Sequence, residues 1–195
     1  MTTTAPPDQE ARFIAYLREL HEDPYRGRRA MANLRSGLGH DAWEAPAMHE
    51  WVGRWFRGTS TPEPGKPYPW RERCYFAVAS LYALHPLDWP GPTLAAEGNA
   101  PPSRSLGLSL VELARRRPEM PVARRLRVLA GTDWDTLFPH LRGIVGLLQR
   151  DEVPVDWLRL LRDVLVWDLP AKGWSEDFYR NEGEAAERSS EEEGA

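Results

Sequence analysis

Residues 134–150 read Trp134-Asp-Thr-Leu-Phe-Pro-His-Leu-Arg-Gly-Ile-Val-Gly-Leu-Leu-Gln-Arg150. Leu137, Leu141, Ile144, Val145 and Leu148 recur at spacings of three and four, the period at which one face of an α-helix is buried. The opposite face holds Arg142, Gly143, Gly146 and Arg150. Glycine inside a helix costs about 1 kcal/mol relative to alanine, so two of them between arginines hint at a close approach by another chain or a phosphate backbone. Asp133 and Asp135 stand where acids favour the start of a helix.

The same period extends in both directions. Residues 122–130 place Val122, Leu126, Leu129 and Ala130 on one face, and 154–168 align Leu158, Leu161, Val164 and Leu165. The 122–130 face belongs to a helix expected at about 119–130, and a further helix is expected at about 104–116, with breaks at Pro118, Gly131 and Pro154. Upstream, residues 70–84 put Cys74, Ala77, Val78, Leu81 and Tyr82 at core spacing. Asp8 is placed to cap a helix over 9–21 that carries Phe13, Ile14, Leu17 and Leu20 on one side. Asp23-Pro24 reads as an N-cap and first position of a second helix ending near Leu34. Asp41 and Pro46 open shorter elements before Trp51, Trp55 and Phe56. Strand signals are weak, because no segment alternates for more than a few positions. The sequence predicts an all-α bundle of about eight helices.

Proline-rich stretches at 58–69 and 85–103 divide this bundle. Residues 1–175 are expected to form one helical unit, with an N-terminal subdomain over 8–84 and a C-terminal one over 104–175. Residues 176–195 hold eight acids against Arg180 and Arg188, a net of −6, and read as an acidic, disordered tail.

That tail distorts the overall charge. The 195 residues carry 25 Lys+Arg and 29 Asp+Glu, net −4, yet without the last twenty the balance is +2. Of the 25 basic residues 23 are Arg, so the cationic groups are ones that pair bidentately with phosphate. From Arg104 to Arg127 seven arginines (104, 115, 116, 117, 124, 125 and 127) face two acids, Glu112 and Glu119. On the 122–130 wheel Arg124 lies opposite the apolar face, flanked by Arg125 and Arg127, so the helix can pack while all three meet solvent. Arg26, Arg28, Arg29 and Arg35 form a second cluster with no acid between them. Such sets suit a sequence-independent hold on a nucleic-acid backbone, and solvated faces or internal ion pairs are the alternative.

Other chemistries find little support. A lone cysteine, Cys74, excludes an internal disulfide and the usual four-ligand cysteine zinc site, and suits a reducing compartment. No nucleophile elbow, Walker or dinucleotide fingerprint is present. His40-Asp41 matches the dipeptide of metal-dependent phosphohydrolases, but a loop histidine beside a capping aspartate explains it as well. No catalytic residue, metal or cofactor is therefore expected. The longest apolar run, Phe76–Leu84, is too short for a bilayer, and the first residues lack the regions of a signal peptide, so a cytoplasmic protein is expected. Nine tryptophans (43, 51, 55, 70, 89, 134, 157, 167 and 174) read mostly as core or protein interface.

Several segments in order resemble the CasB family, the small subunit of the type I-E CRISPR surveillance complex Cascade. They are Arg29-Ala-Met-Ala-Asn-Leu-Arg-Ser-Gly-Leu-Gly39, Tyr75-Phe76-Ala77-Val78-Ala79, Ser105-Leu106-Gly107 and Ala123-Arg124-Arg125-Leu126. Leu141-Arg142, the run from Val153-Pro154-Val155-Asp156-Trp157 to Trp167-Asp168, and Trp174 with Phe178-Tyr179 complete the set. The resemblance spans about residues 10–180 and implies an all-helical, non-catalytic subunit. Its implied partners are the backbone and large Cascade subunits, a second copy of itself, the crRNA, and target DNA including the displaced strand. It carries Arg28, Arg29, Arg35, Arg124, Arg125 and Arg142 over as basic family positions, whereas Arg115, Arg116, Arg117 and Arg127 rest on local charge alone. Ser36 departs from the pattern, since family members often carry a basic residue there. A helical adaptor that meets only proteins is the alternative reading.

Overall fold

The structure is a computed structural model and describes residues 8–39, 42–56, 69–90, 103–133, 136–167 and 170–193, the last segment with side chains through Glu182. Among these residues there are nine α-helices and no strand; one isolated bridge joins Asp88 and Val155. The chain divides into two compact units, Met1–Pro86 and Leu87–Ala195.

The first unit contains α1 (Gln9–Glu22), α2 (Gly27–Arg35), α3 (Pro46–His49) and α4 (Trp70–Leu84). Asp8 caps α1 by accepting the Ala11 amide at 2.8 Å, and Phe13, Ile14, Leu17 and Leu20 are its buried face. Asp23 does not start α2 directly. Its Oδ1 accepts the Tyr25 and Arg26 amides, closing a turn through Pro24 that delays the helix to Gly27. α4 is the centre of the unit, with Cys74 to Ala83 buried without interruption. Phe13 and Phe56 both pack on Tyr75, with ring centroids 4.6 and 5.1 Å away, and the Tyr75 hydroxyl donates to Glu10 at 3.0 Å. Burial is the chief cause that pushes the Tyr75 hydroxyl upward. It does the same to the thiol of Cys74, a free cysteine in the core.

The second unit contains α5 (Leu106–Arg116), α6 (Val122–Ala130), α7 (Leu137–Arg150), α8 (Trp157–Leu165) and α9 (Pro170–Glu193). Each predicted helix here is present with trimmed ends. Asp156, not Pro154, sets the start of α8, accepting the Arg159 amide at 2.9 Å and the Arg104 amide at 3.1 Å. Pro139 falls in the first turn of α7, where a missing N–H costs no helical bond.

The expected boundary at 175/176 falls inside α9, which continues as a helix where composition predicts a disordered tail. Trp174 and Phe178, four residues apart, are both buried, and α9 packs along α5 and α6. Asp177, counted in the acidic tail, accepts a 2.6 Å hydrogen bond from Ser105, which itself caps α5. Composition after residue 175 is acidic enough to suggest disorder, but one aromatic at helical spacing and one buried hydroxyl partner hold the first residues of the segment in place.

Two contacts fix α9. Trp174 Nε1 donates to Asp163 Oδ2 at 2.6 Å, while Arg159 Nε donates to the other oxygen at 2.8 Å. Burial outweighs both donors and raises the Asp163 carboxyl above its usual range. The backbone of Trp174 also lies directly on Gly107, where an added Cβ would meet the Trp174 carbonyl oxygen, with its carbonyl carbon at 2.9 Å and Cα at 3.0 Å. Only glycine permits this approach of α5 to α9.

Candidate nucleic-acid interface

The arginines that look alike in the sequence differ once folded. In α6, Val122, Leu126 and Leu129 are buried, which turns Arg124, Arg125 and Arg127 to solvent. None of the three has an ion-pair or hydrogen-bond partner among the described residues. The helix itself contains no acid, and neither does α7.

Arg104 and Arg115–Arg117 are placed differently. Arg104 pairs with Glu112 at 2.5 Å. Arg116 also pairs with Glu112 and donates to the Asp151 carbonyl. Arg117 binds Asp151 at 2.6 Å, and Arg115 reaches the Asn181 carbonyl at 3.4 Å. Burial works against the Glu112 charge, but Arg104 and Arg116 outweigh it and hold the carboxyl below its usual range. The run Arg115-Arg116-Arg117 thus serves mainly to join the end of α5 to the α7–α8 turn and to α9. Sequence spacing conceals this, because Asp151 lies 34 residues from Arg117.

In the first unit Arg28 is exposed without a partner among the described residues. Arg29 pairs with Glu50 at 2.7 Å and lies 6.0 Å from the centre of the Trp51 ring. With the Arg29 side chain 68% exposed, that pair is of the class worth about 0–1 kcal/mol, small enough to exchange for a phosphate. Arg35 donates through Nε to the Ala83 carbonyl at 2.8 Å, leaving its terminal nitrogens for other acceptors. Ser36, which departs from the pattern that the sequence resembles, donates to the Asn33 carbonyl at 2.6 Å and finishes α2.

On α7, Arg142 and Arg150 are exposed. Beyond their own helix's backbone, no atom of the described residues lies within 4 Å of where a Cβ would stand at Gly143 or Gly146, so packing among these residues does not require glycine at either place. His140, to which the sequence assigns no role, lines a groove with Arg124 and Arg125; only the pairing of α6 with α7 reveals it.

Of the described tryptophan side chains, Trp51, Trp157, Trp167 and Trp174 are buried, and Trp55 packs edge-on against Phe13 at 5.3 Å. His40 and Asp41 lie outside the described residues, and the His49 ring packs on Phe76 at 4.8 Å. Among the described residues no three His, Cys, Asp or Glu side chains are grouped to hold a metal ion, and no helix is long and apolar enough to cross a membrane.

Known proteins share both the sequence pattern and the fold. A family model described as CRISPR-associated protein Cse2 matches residues 30–179. The crystal structure of M. ruber CasB is similar at 25% identity and a TM-score of 0.67, covering 94% of this chain and 99% of that one. A Cse2-family CRISPR-associated protein from Thermus thermophilus is also 25% identical, with a TM-score of 0.64 over 87% of this chain and 97% of that one. A chain of a CRISPR RNA-guided surveillance complex shares the fold at 23% identity and a TM-score of 0.68, covering 93% and 97% of the two chains. No curated protein matches the sequence.

Proposed function

This chain belongs to the CRISPR-associated Cse2 family, and from that premise we propose that it is the non-catalytic small subunit of a type I-E Cascade complex. It binds nucleic-acid backbone without sequence preference and stabilises the crRNA-guided R-loop. Pairing by the guide supplies specificity in such complexes, so a subunit of this kind needs phosphate contacts only. The observation that carries the reading is α6: three exposed arginines, no acid in the helix, and no partner for them among the described residues. Guanidinium groups in that state can meet phosphate without first breaking an internal pair.

Arg124, Arg125 and Arg127 form the principal contact set, with Arg142 on the neighbouring helix and Arg28, Arg29 and Arg35 on the first unit. Arg115, Arg116 and Arg117 contribute mainly to the fold. The partners are the backbone and large Cascade subunits, a second copy, the crRNA and the target DNA with its displaced strand; the setting is the cytoplasm.

The test is binding of a labelled single-stranded oligonucleotide. Three phosphate contacts give a slope near −2 in log K against log salt, so affinity falls roughly 20-fold between about 50 and 200 mM salt. Arg124→Glu/Arg125→Glu lowers affinity at least about tenfold at low salt. Salt-independent binding, or full binding by the double variant, contradicts the proposal and favours a helical adaptor that meets only proteins.

A further inference from the structure

α9 runs antiparallel to α6 and on past its beginning. Trp174, near the start of α9, packs edge-on against Trp167 with ring centroids 5.2 Å apart. Trp167 in turn donates to the Thr132 carbonyl at 3.1 Å, just beyond the end of α6. About two turns further along α9, Glu182 lines a cleft of about 350 Å³ with Pro121, Val122 and Ala123 at the beginning of α6. Arg115, at the end of α5, lines the same cleft and reaches the Asn181 carbonyl at 3.4 Å. From Glu182 the helix continues to Glu193, a rise of about 16 Å.

That continuation is acidic. Residues 183–193 contain Glu184, Glu187, Glu191, Glu192 and Glu193 against Arg188, a net of −4. They lie beyond the family match, which ends at residue 179. The acids work against their own helix. Glu191, Glu192 and Glu193 close its last turn, where the macrodipole favours cations and no basic residue stands. Glu184, Glu187 and Glu191 follow one another at spacings of three and four, which sets like charges side by side. A charge that costs its own helix calls for an opposite charge elsewhere.

The opposite charge stands at the corner where the segment begins. The first turn of α6 holds no acid and no side chain caps it, so its amides and the positive end of its dipole are unanswered there by a carboxylate of the helix. Arg124, Arg125 and Arg127 are exposed and have no partner among the described residues. Exposed charges act on one another over about 10 Å at 0.1 M salt, and Glu182 and Ala123 already share one cleft.

We propose, resting on the nucleic-acid reading above, that the acidic end of α9 is a built-in competitor for the arginines of α6: in the free chain it opposes their charge, and a polyanion must overcome it to bind. The acids hold off stray, weakly bound polyanions. A strand presented by an assembled complex overcomes them through its higher effective concentration.

The test is a two-by-two set of full-length proteins. It comprises wild type, a tail variant (Glu184→Gln/Glu187→Gln/Glu191→Gln/Glu192→Gln/Glu193→Gln), an α6 variant (Arg124→Gln/Arg125→Gln/Arg127→Gln) and the two combined. Each is titrated with a labelled oligodeoxythymidine and, separately, melted without nucleic acid. At about 50 mM salt the tail variant is expected to bind about two- to fivefold more tightly than wild type, and the gain shrinks as salt rises to about 200 mM. In the α6 background the same tail substitutions gain less than about 1.5-fold. In the melts the two sets of substitutions are expected to shift the midpoint non-additively at low salt and additively at about 0.5 M.

Unchanged affinity in the tail variant overturns the proposal. So does an equal gain with and without the α6 arginines, because the acids then act on the molecule as a whole. Additive midpoints at low salt overturn it as well. If no protein of the set binds the oligonucleotide in a salt-sensitive way, the nucleic-acid reading falls on its own, and the melts decide whether the acidic end meets α6.

Discussion

Replacing Gly107 by alanine sets two effects of known size against each other. In a helix interior the change alone stabilises by up to about 1 kcal/mol. In α5 it also drives a methyl group into the backbone of Trp174, whose Cα lies 3.0 Å and whose carbonyl carbon 2.9 Å from the new atom. Main-chain atoms cannot rotate away as a side-chain tip can, so α9 must move off α5. Overpacking of this kind costs about 1–3 kcal/mol. The displacement also pulls Trp174 Nε1 from Asp163, a bond of 2.6 Å in the interior, and a buried polar group left without its partner costs a further 1–3 kcal/mol or so. The net expectation is a destabilisation of roughly 2–4 kcal/mol, which lowers the melting temperature of a domain this size by about 10 °C or more. Gly143→Ala, with open space around its Cβ, is the matched control and gains about 0.5–1 kcal/mol. Urea and thermal unfolding of both variants measure the contrast. A Gly107→Ala protein as stable as wild type would refute the claim that α5 and α9 meet backbone to backbone.

Two buried or paired carboxylates predict opposite pH trends. Glu112 has its carboxyl lowered in the fold, so its contribution is present above the unfolded carboxylate range and lost as pH falls through the folded value. Asp163 is raised, so its contribution is fully present in acid and lost as pH rises through the folded value. Wild type should therefore gain on Glu112→Gln, and lose ground relative to Asp163→Asn, as pH is raised from about 3 to 7 in urea titrations. Truncation after Glu182 removes five glutamates and Arg188, shifting the net charge from −4 to 0. Glu182 and Pro121 line one surface pocket, so this acidic segment begins beside the start of α6. Its removal should raise oligonucleotide affinity about two- to fivefold at about 50 mM salt, and unchanged affinity would show that the segment does not compete with polyanions.

What is legible in the sequence follows the range of each signal. Apolar residues at three- and four-residue spacing are local, and they locate α1 and α4 to α8 to within a few residues. The caps Asp8 and Asp156 are local as well. Asp23 is recognisable as a turn-forming acceptor but marks the helix start one turn too early, because Pro24 favours either outcome. α9 beyond residue 175 escapes a reading by composition because its anchors, Phe178 in the core and Asp177 on Ser105, depend on a segment 72 residues away. The arginine clusters show the same limit. Counting identifies the acid-poor stretch, but Glu50 returning to Arg29 and Asp151 returning to Arg117 are tertiary contacts. Only after those pairs form does α6 stand out as the helix whose arginines have no partner among the described residues.

Engaged and unengaged arginines differ most directly in the slope of log K against log salt for a single-stranded oligonucleotide, measured in wild type and in two triple variants. Arg124→Gln/Arg125→Gln/Arg127→Gln should flatten the slope by about 2, and Arg115→Gln/Arg116→Gln/Arg117→Gln should change it by less than about 1. Equal slopes in all three proteins, or a larger loss from the second set, would contradict the assignment of α6 as the binding helix.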